Sequence, residues 1–131
     1  MADFVGKDPR GVSVVLPQTT FDKSLGAHFD FLESRKGVWA TLTQALQNPI
    51  CILDNLPHVE ATMGPPRRAG ELYVSHVPEW EVYVAFPVLV IEQGSYARPG
   101  AQTIDAPVRI AWTAYDVSEI PSGNIIWKAS T

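Results

Sequence analysis

Several things that chemistry usually requires are scarce or missing in this chain. Cysteine occurs once, at Cys51, so no internal disulfide can form and a reducing or indifferent compartment is implied. Histidine occurs three times, at His28, His58 and His76. No apolar stretch approaches the roughly 20 residues that a membrane-spanning helix needs. The longest, Val82 to Ile91, is interrupted by Pro87. The opening MADFVGKDPRGVSVVLP has only the short apolar run Val12–Leu16 where a signal peptide would carry a long one. The expectation is a soluble protein, cytoplasmic or part of a virion, not secreted by a standard signal and without a membrane span.

Basic charge is also in short supply. Ten Lys and Arg stand against fourteen Asp and Glu, and the whole excess of −4 falls after residue 36. A protein that binds phosphate backbones needs a basic face to release counterions, so nucleic acid is not expected as the primary ligand. Phosphate cradles are absent, with neither G-x-x-x-x-G-K-[ST] nor G-x-G-x-x-G in the sequence. There is no G-x-S-x-G elbow to present a nucleophilic serine. No cofactor is implied.

What is present describes a folded domain. The chain has 131 residues, 46% apolar and 18% charged, with four Trp, four Tyr and five Phe to fill a core. That length suits one domain, residues 1–131, divided into an N-terminal arm at 1–20 and a core at 21–131. Eleven prolines and nine glycines cut the chain into short pieces, which favours strands over long helices.

The clearest helical pattern lies between Asp22 and Asn48. Leu25, Phe29 and Leu32 recur at helical spacing, and so do Trp39, Leu42 and Leu46. Ser34 can cap the second set, Gly37 can separate the two, and Asn48-Pro49 ends the run. From Ile50 onward the pattern is strand-like. Ile50–Asp54 and Glu71–Val77 are short runs, and Glu79–Phe86 alternates with Trp80, Val82 and Val84 on one side. Pro87 cannot donate to a ladder, so it predicts an edge strand, a bend, or an end and restart. Val88–Glu92 reads as a covered strand and Gln93–Ala106 as a long loop. Val108, Ile110, Trp112 and Ala114 alternate against Arg109, Thr113 and Tyr115, and Ile125–Trp127 closes the series. These readings sum to an α+β domain. One or two short helices at about 22–48 pack on a mostly antiparallel sheet of five or six strands, with an extended N-terminal arm.

Candidate chemistry fails at specific residues. His58-Val59-Glu60 has the spacing that opens a zinc deaminase motif, but no cysteine follows Cys51 to complete it. His58, Glu60 and His76 make an ordinary zinc set if their strands are neighbours. Cys51 sits in Ile50-Cys51-Ile52-Leu53, where a thiol behaves as a small hydrophobe, which disfavours a dyad with His58 or His76. The carboxylate pairs Glu79/Glu81 and Asp116/Glu119 could each do acid–base work, but Glu79 and Glu81 alternate with Trp80 and Val82 and read more simply as the solvent face of a strand. Pro65-Pro66-Arg67-Arg68 reads as a basic turn.

The apolar ends point elsewhere. Phe4, Val5, Val12, Val14 and Leu16 lie in the arm, and Ile125, Ile126 and Trp127 lie in the last strand. Apolar termini must be buried against something, either the chain's own sheet or the edge of a neighbouring subunit. The expected function is that of a non-enzymatic structural or assembly subunit of an oligomer. A phage virion or tail component is one setting, with Arg67 and Arg68 as further contact residues and other protein subunits as partners. The alternative is a cone-like ligand-binding or enzymatic domain with Trp39, Trp80, Trp112, Tyr83 and Tyr115 around a pocket that includes His76 or Arg109.

Overall fold

The computed structural model describes residues 3–22, 29, 34–54, 70–98 and 100–129. Leu25, His28, Leu32, His58, Glu60, Arg67 and Arg68 lie outside the described residues.

The described residues form ten strands: β1 (Phe4–Lys7), β2 (Ser13–Leu16), β3 (Cys51–Asp54), β4 (Gly70–Val77), β5 (Val82–Ile91), β6 (Ser95–Tyr96), β7 (Ile104–Asp105), β8 (Val108–Ala111), β9 (Tyr115–Val117) and β10 (Ile125–Lys128). Eight of them make one sheet in the order β1-β2-β8-β5-β4-β3-β10, with β9 also paired to β5. β6 and β7 form a separate small hairpin. The expected sheet of five or six mostly antiparallel strands is therefore corrected to a larger, mixed one. β2 lies parallel to β8, and the other pairings are antiparallel.

The expected arm is corrected as well. Asp8 to Gly11 turns the chain, with Gly11 at φ 81, and β2 returns antiparallel on β1 with Val5 opposite Val15. A glycine accepts that positive φ without a side-chain clash. Val14, Val15 and Leu16 are fully buried, so the "arm" is core. Charged Lys7, Asp8 and Arg10 dilute the hydrophobic pattern of this hairpin and hide it from a periodicity reading.

One helix of more than one turn stands among the described residues, α1 (Arg35–Gln47). Ser34 caps it by accepting a hydrogen bond from the Gly37 N–H at 3.2 Å, and the glycine sits inside the first turn without breaking it. Val38, Leu42, Ala45 and Leu46 form its buried stripe. Trp39 lies at the rim of that stripe and meets the Phe21 ring edge-on at 4.9 Å. The Ser75 hydroxyl donates to the Ala45 carbonyl and pins the helix end to β4.

The sheet has two different faces. On the helix face, Val14, Leu16, Ile52, Tyr73, Val84, Phe86, Val88 and Ala111 join the helix in the main core. On the opposite face, Cys51, Leu53, Leu72, Val74 and Ala85 form a second cluster, and Val15, Val108 and Ile110 form a third, over which Tyr96 and Ile104 of the β6–β7 hairpin pack.

β5 runs unbroken through Pro87 near the middle of the sheet, against the expectation of an edge, a bend or a restart. The missing N–H falls where one neighbour gives way to another: β9 pairs with Tyr83–Ala85 and β8 with Val88–Ile91. Glu79–Phe86 is not one strand. Pro78–Trp80 is a 3-10 turn, and Glu81 takes a left-handed conformation with φ 58 before β5 begins. Val108–Tyr115 divides into β8 and β9, and all four β8 residues are buried, Arg109 included.

Candidate functional site

Two regions of the sheet hold the groups that merit a functional reading. The first is a cluster of charges on the helix face beside the β1–β2 turn. Tight turns favour Asp because its carboxylate can accept from the backbone just ahead. Asp8 does so, accepting from the N–H groups of Arg10 at 2.8 Å and Val12 at 3.0 Å through Oδ1. Its Oδ2 accepts from the Tyr73 hydroxyl at 2.6 Å and from Arg10 Nε at 3.1 Å. Arg10 Nη2 reaches on to the Tyr73 oxygen at 2.8 Å and to Glu71 Oε1 at 2.9 Å. The same Glu71 oxygen accepts from Arg109 Nε at 2.8 Å, and Arg109 Nη2 donates to Glu92 at 2.8 Å. The strand register brings these residues together: Glu71 pairs with Val88, Val88 with Ala111, and Val90 with Arg109.

Burial gives this cluster its energetics. The Asp8 carboxylate is fully enclosed and Arg109 is 5% exposed. Burial alone would raise the Glu71 pKa, but hydrogen bonds from Arg10 and Arg109 outweigh it and hold the carboxyl below its usual range. Burial, followed by the Asp8 carboxylate, pushes the Tyr73 phenol far up. Burial would lower both arginines, yet the bond to Glu71 holds each of them up. Each acid is already engaged by a donor, so the cluster offers no free acid or base to a substrate. It works as a clamp that joins the β1–β2 turn to β4 and β8.

The second region is the outer edge at β10. Ile125 pairs with Leu53, Trp127 with Ile52 and Lys128 with Cys51, so the register slips by one residue at Ile126. A bulge of this kind breaks the strict alternation of faces. Ile125 and Lys128 consequently share the face of Cys51 and Leu53, and Trp127 turns to the helix face and packs against the main core. Ile50, Cys51, Ile120, Ile125, Lys128 and Ala129 enclose a groove of about 330 Å³. Ile125 is 57% exposed, Ile126 48% and Ile120 44%. Lys128 is the one charged residue of the groove lining, and it makes no ion pair among the described residues. Burial pushes the Cys51 thiol up, with Lys128 partly offsetting it, so this cysteine is a poor nucleophile.

Phe4 and Trp127 are half-buried against the main core, and Val12 is half-buried. Val14 and Leu16 are enclosed within the chain, and Val5, Ile125 and Ile126 are exposed. His76 is exposed beside the Tyr83 ring, in a cleft of about 470 Å³ with Thr41, Gln44, Asn48 and Glu79. Among the described residues no group of three His, Cys, Asp or Glu is placed to hold a metal. The aromatic residues grouped from the sequence are divided by the sheet. Trp39 and Trp80 belong to the helix side, where Trp80 stacks on Phe29 at 5.2 Å, while Tyr83 and Tyr115 lie on the other face. Arg109, Glu71, Tyr73, Asp8 and Arg10 were not linked by sequence reasoning. Arg109 alone among them was singled out from the sequence, as a polar residue of the alternative pocket. Ile50, Cys51 and Ile120 had no sequence signal as groove residues.

No protein-family model, curated protein or solved structure matches this chain. No helix among the described residues is long and apolar enough to cross a membrane.

Proposed function

We propose that this chain is a non-enzymatic assembly subunit that binds other protein subunits through the β10 edge of its sheet. One observation carries the reading: three half-exposed isoleucines, Ile120, Ile125 and Ile126, stand at or beside an apolar groove on an outermost strand. Isolated exposed apolar side chains are ordinary on protein surfaces, whereas a contiguous apolar patch marks an interaction site. An unpaired edge also offers backbone groups to an added strand. Covering the exposed half of each isoleucine contributes about 1 kcal/mol, so the three supply roughly 3 kcal/mol towards association. That amount needs the backbone ladder beside it to make a lasting complex. The charge cluster supports the same reading by contrast, since its partners are all internal. A phage virion or tail is one setting for such a subunit, and the edge reading does not depend on it.

The test is mass in solution by light scattering, over a concentration series. Wild type is expected above the monomer mass. Ile125→Lys with Ile126→Lys should be monomeric, with an unchanged far-ultraviolet circular dichroism spectrum. Association that persists in the double variant, or a wild type that is monomeric throughout, rejects the reading. Truncation of residues 1–16 cannot serve as the test, because it removes buried β2 and with it part of the core.

A further inference from the structure

We infer that the strand added to β10 is β1 of a second copy of this chain, so that copies join head to tail. This deepens the reading of β10 as a docking edge and rests on it.

Strand direction is the first support. Counting from β10, the pairings to β3, β4, β5 and β8 each reverse direction, that to β2 keeps it, and that to β1 reverses it again. β1 therefore runs antiparallel to β10 from the far edge of the same sheet. A second copy set beside the first in the same orientation brings its β1 antiparallel onto β10. The helix faces of the two copies are then continuous.

Backbone polarity is the second. The Asp8 N–H bonds the Val12 carbonyl at 2.9 Å, and antiparallel alternation then turns the backbone groups of Val5 and Lys7 away from β2. On β10, the Ala129 N–H bonds the Ile50 carbonyl and the Asp54 N–H bonds the Asn124 carbonyl, each at 2.9 Å. The same alternation turns those of Ile125 and Lys128 away from β3. Both edges thus present outward donors and acceptors at the residues that would meet.

Side-chain chemistry is the third. Val5 lies opposite Val15, on the face away from the helix, and Asp3, two residues earlier, falls on that face too. The bulge places Ile125 and Lys128 on the matching face of β10. β3 spans that bulge with Leu53 opposite Ile125 and Cys51 opposite Lys128, a separation of two residues. Val5 and Asp3 have the same separation in the same direction, so Val5 meets Ile125 when Asp3 meets Lys128. Val5 is 39% exposed. One Asp3 oxygen accepts from the Gln18 N–H at 2.9 Å, and the carboxylate makes no ion pair among the described residues. An apolar pair and an opposite-charge pair across an antiparallel junction both favour that register. Because the two halves of the interface are different surfaces, each copy keeps a free edge and assembly continues past two.

The test uses the full-length chain and sedimentation velocity. Wild type should contain species larger than a dimer. Asp3→Lys and Lys128→Asp should each weaken association roughly tenfold, and the two combined in one chain should restore it. Val5→Lys blocks one edge and Ile125→Lys the other, so each chain should be monomeric alone while their mixture gives a 1:1 dimer and nothing larger. A dimer formed by the Val5→Lys chain alone overturns head-to-tail joining and leaves β10 as the docking edge. Association insensitive to Ile125→Lys, or a monomeric wild type at every concentration, overturns both.

Discussion

The charge cluster behind the β1–β2 turn and the groove at β10 treat their side chains in opposite ways. Beside the β1–β2 turn, Asp8, Arg10, Glu71 and Arg109 are drawn inward with Tyr73 and satisfied by one another, and exposed Glu92 completes the bonding of Arg109. At β10, exposed Ile120 and Ile125 line a groove whose one charge is unpaired among the described residues, and Ile126, next along the strand, is exposed too. Polar burial at the first is costly and is offset only by complete internal pairing. Apolar exposure at the second is also unfavourable, and the proposed partner would relieve it. The contrast teaches that a dense cluster of buried charge with raised and lowered pKa values is here a structural clamp. The plainer apolar edge at β10, with Val5 of β1 opposite it, is the surface we propose for the interaction.

The contrast is broken most severely at Glu71. Glu71→Gln leaves Arg10 and Arg109 converging on a neutral group, and chemical denaturation should report a loss of about 3–5 kcal/mol. The pH dependence follows from the same residue. Its folded pKa is lowered, so its stabilisation is present above the ordinary glutamate value of about 4.3 and is lost as pH falls through the folded value. Midpoint denaturant concentrations measured from pH 7 to pH 3 should decline in wild type and decline less steeply in Glu71→Gln. Tyr73→Phe removes the hydroxyl that Asp8 and Arg10 share, and should cost about 1–3 kcal/mol with the fold retained. The smallest effect on the folded chain is expected at the β10 edge. Ile125→Lys with Ile126→Lys should shift stability by no more than about 0.5 kcal/mol, because both residues are exposed, at 57% and 48%. A loss of several kcal/mol there would mean that the edge is part of the core, and the contrast would collapse.

Much of the local structure was legible. Ser34 and Asn48-Pro49 bounded α1, because capping and proline chemistry act over three or four residues. The runs Ile50–Asp54 and Glu71–Val77 announced strands that the fold places at Cys51–Asp54 and Gly70–Val77, and Cys51 is buried as its apolar setting suggested. The hairpin β1–β2 was not legible, since its closing residues are charged and their partners lie more than sixty positions away. Pro87 was misread for a related reason. Whether a missing N–H matters depends on which strand lies beside it, and that is set by β8 and β9. The exposed Ile125 and Ile126 were flagged from the sequence. The groove walls at Ile50, Cys51 and Ile120 were not, because nothing local ties residue 120 to residue 50.

The amino-acid order by itself determined a strand-rich chain with a capped helix ending at Asn48, a lone cysteine inside an apolar run and no familiar catalytic motif. Those properties follow from composition and from interactions a few residues long. Tertiary structure alone decided that the sheet is mixed and eight-stranded, that Arg109 is a buried clamp, and that Val5 and Ile125 stand on opposite outer edges with antiparallel directions. Strand order and face are set by hydrogen bonds between distant segments, and no periodicity within one segment encodes its neighbour.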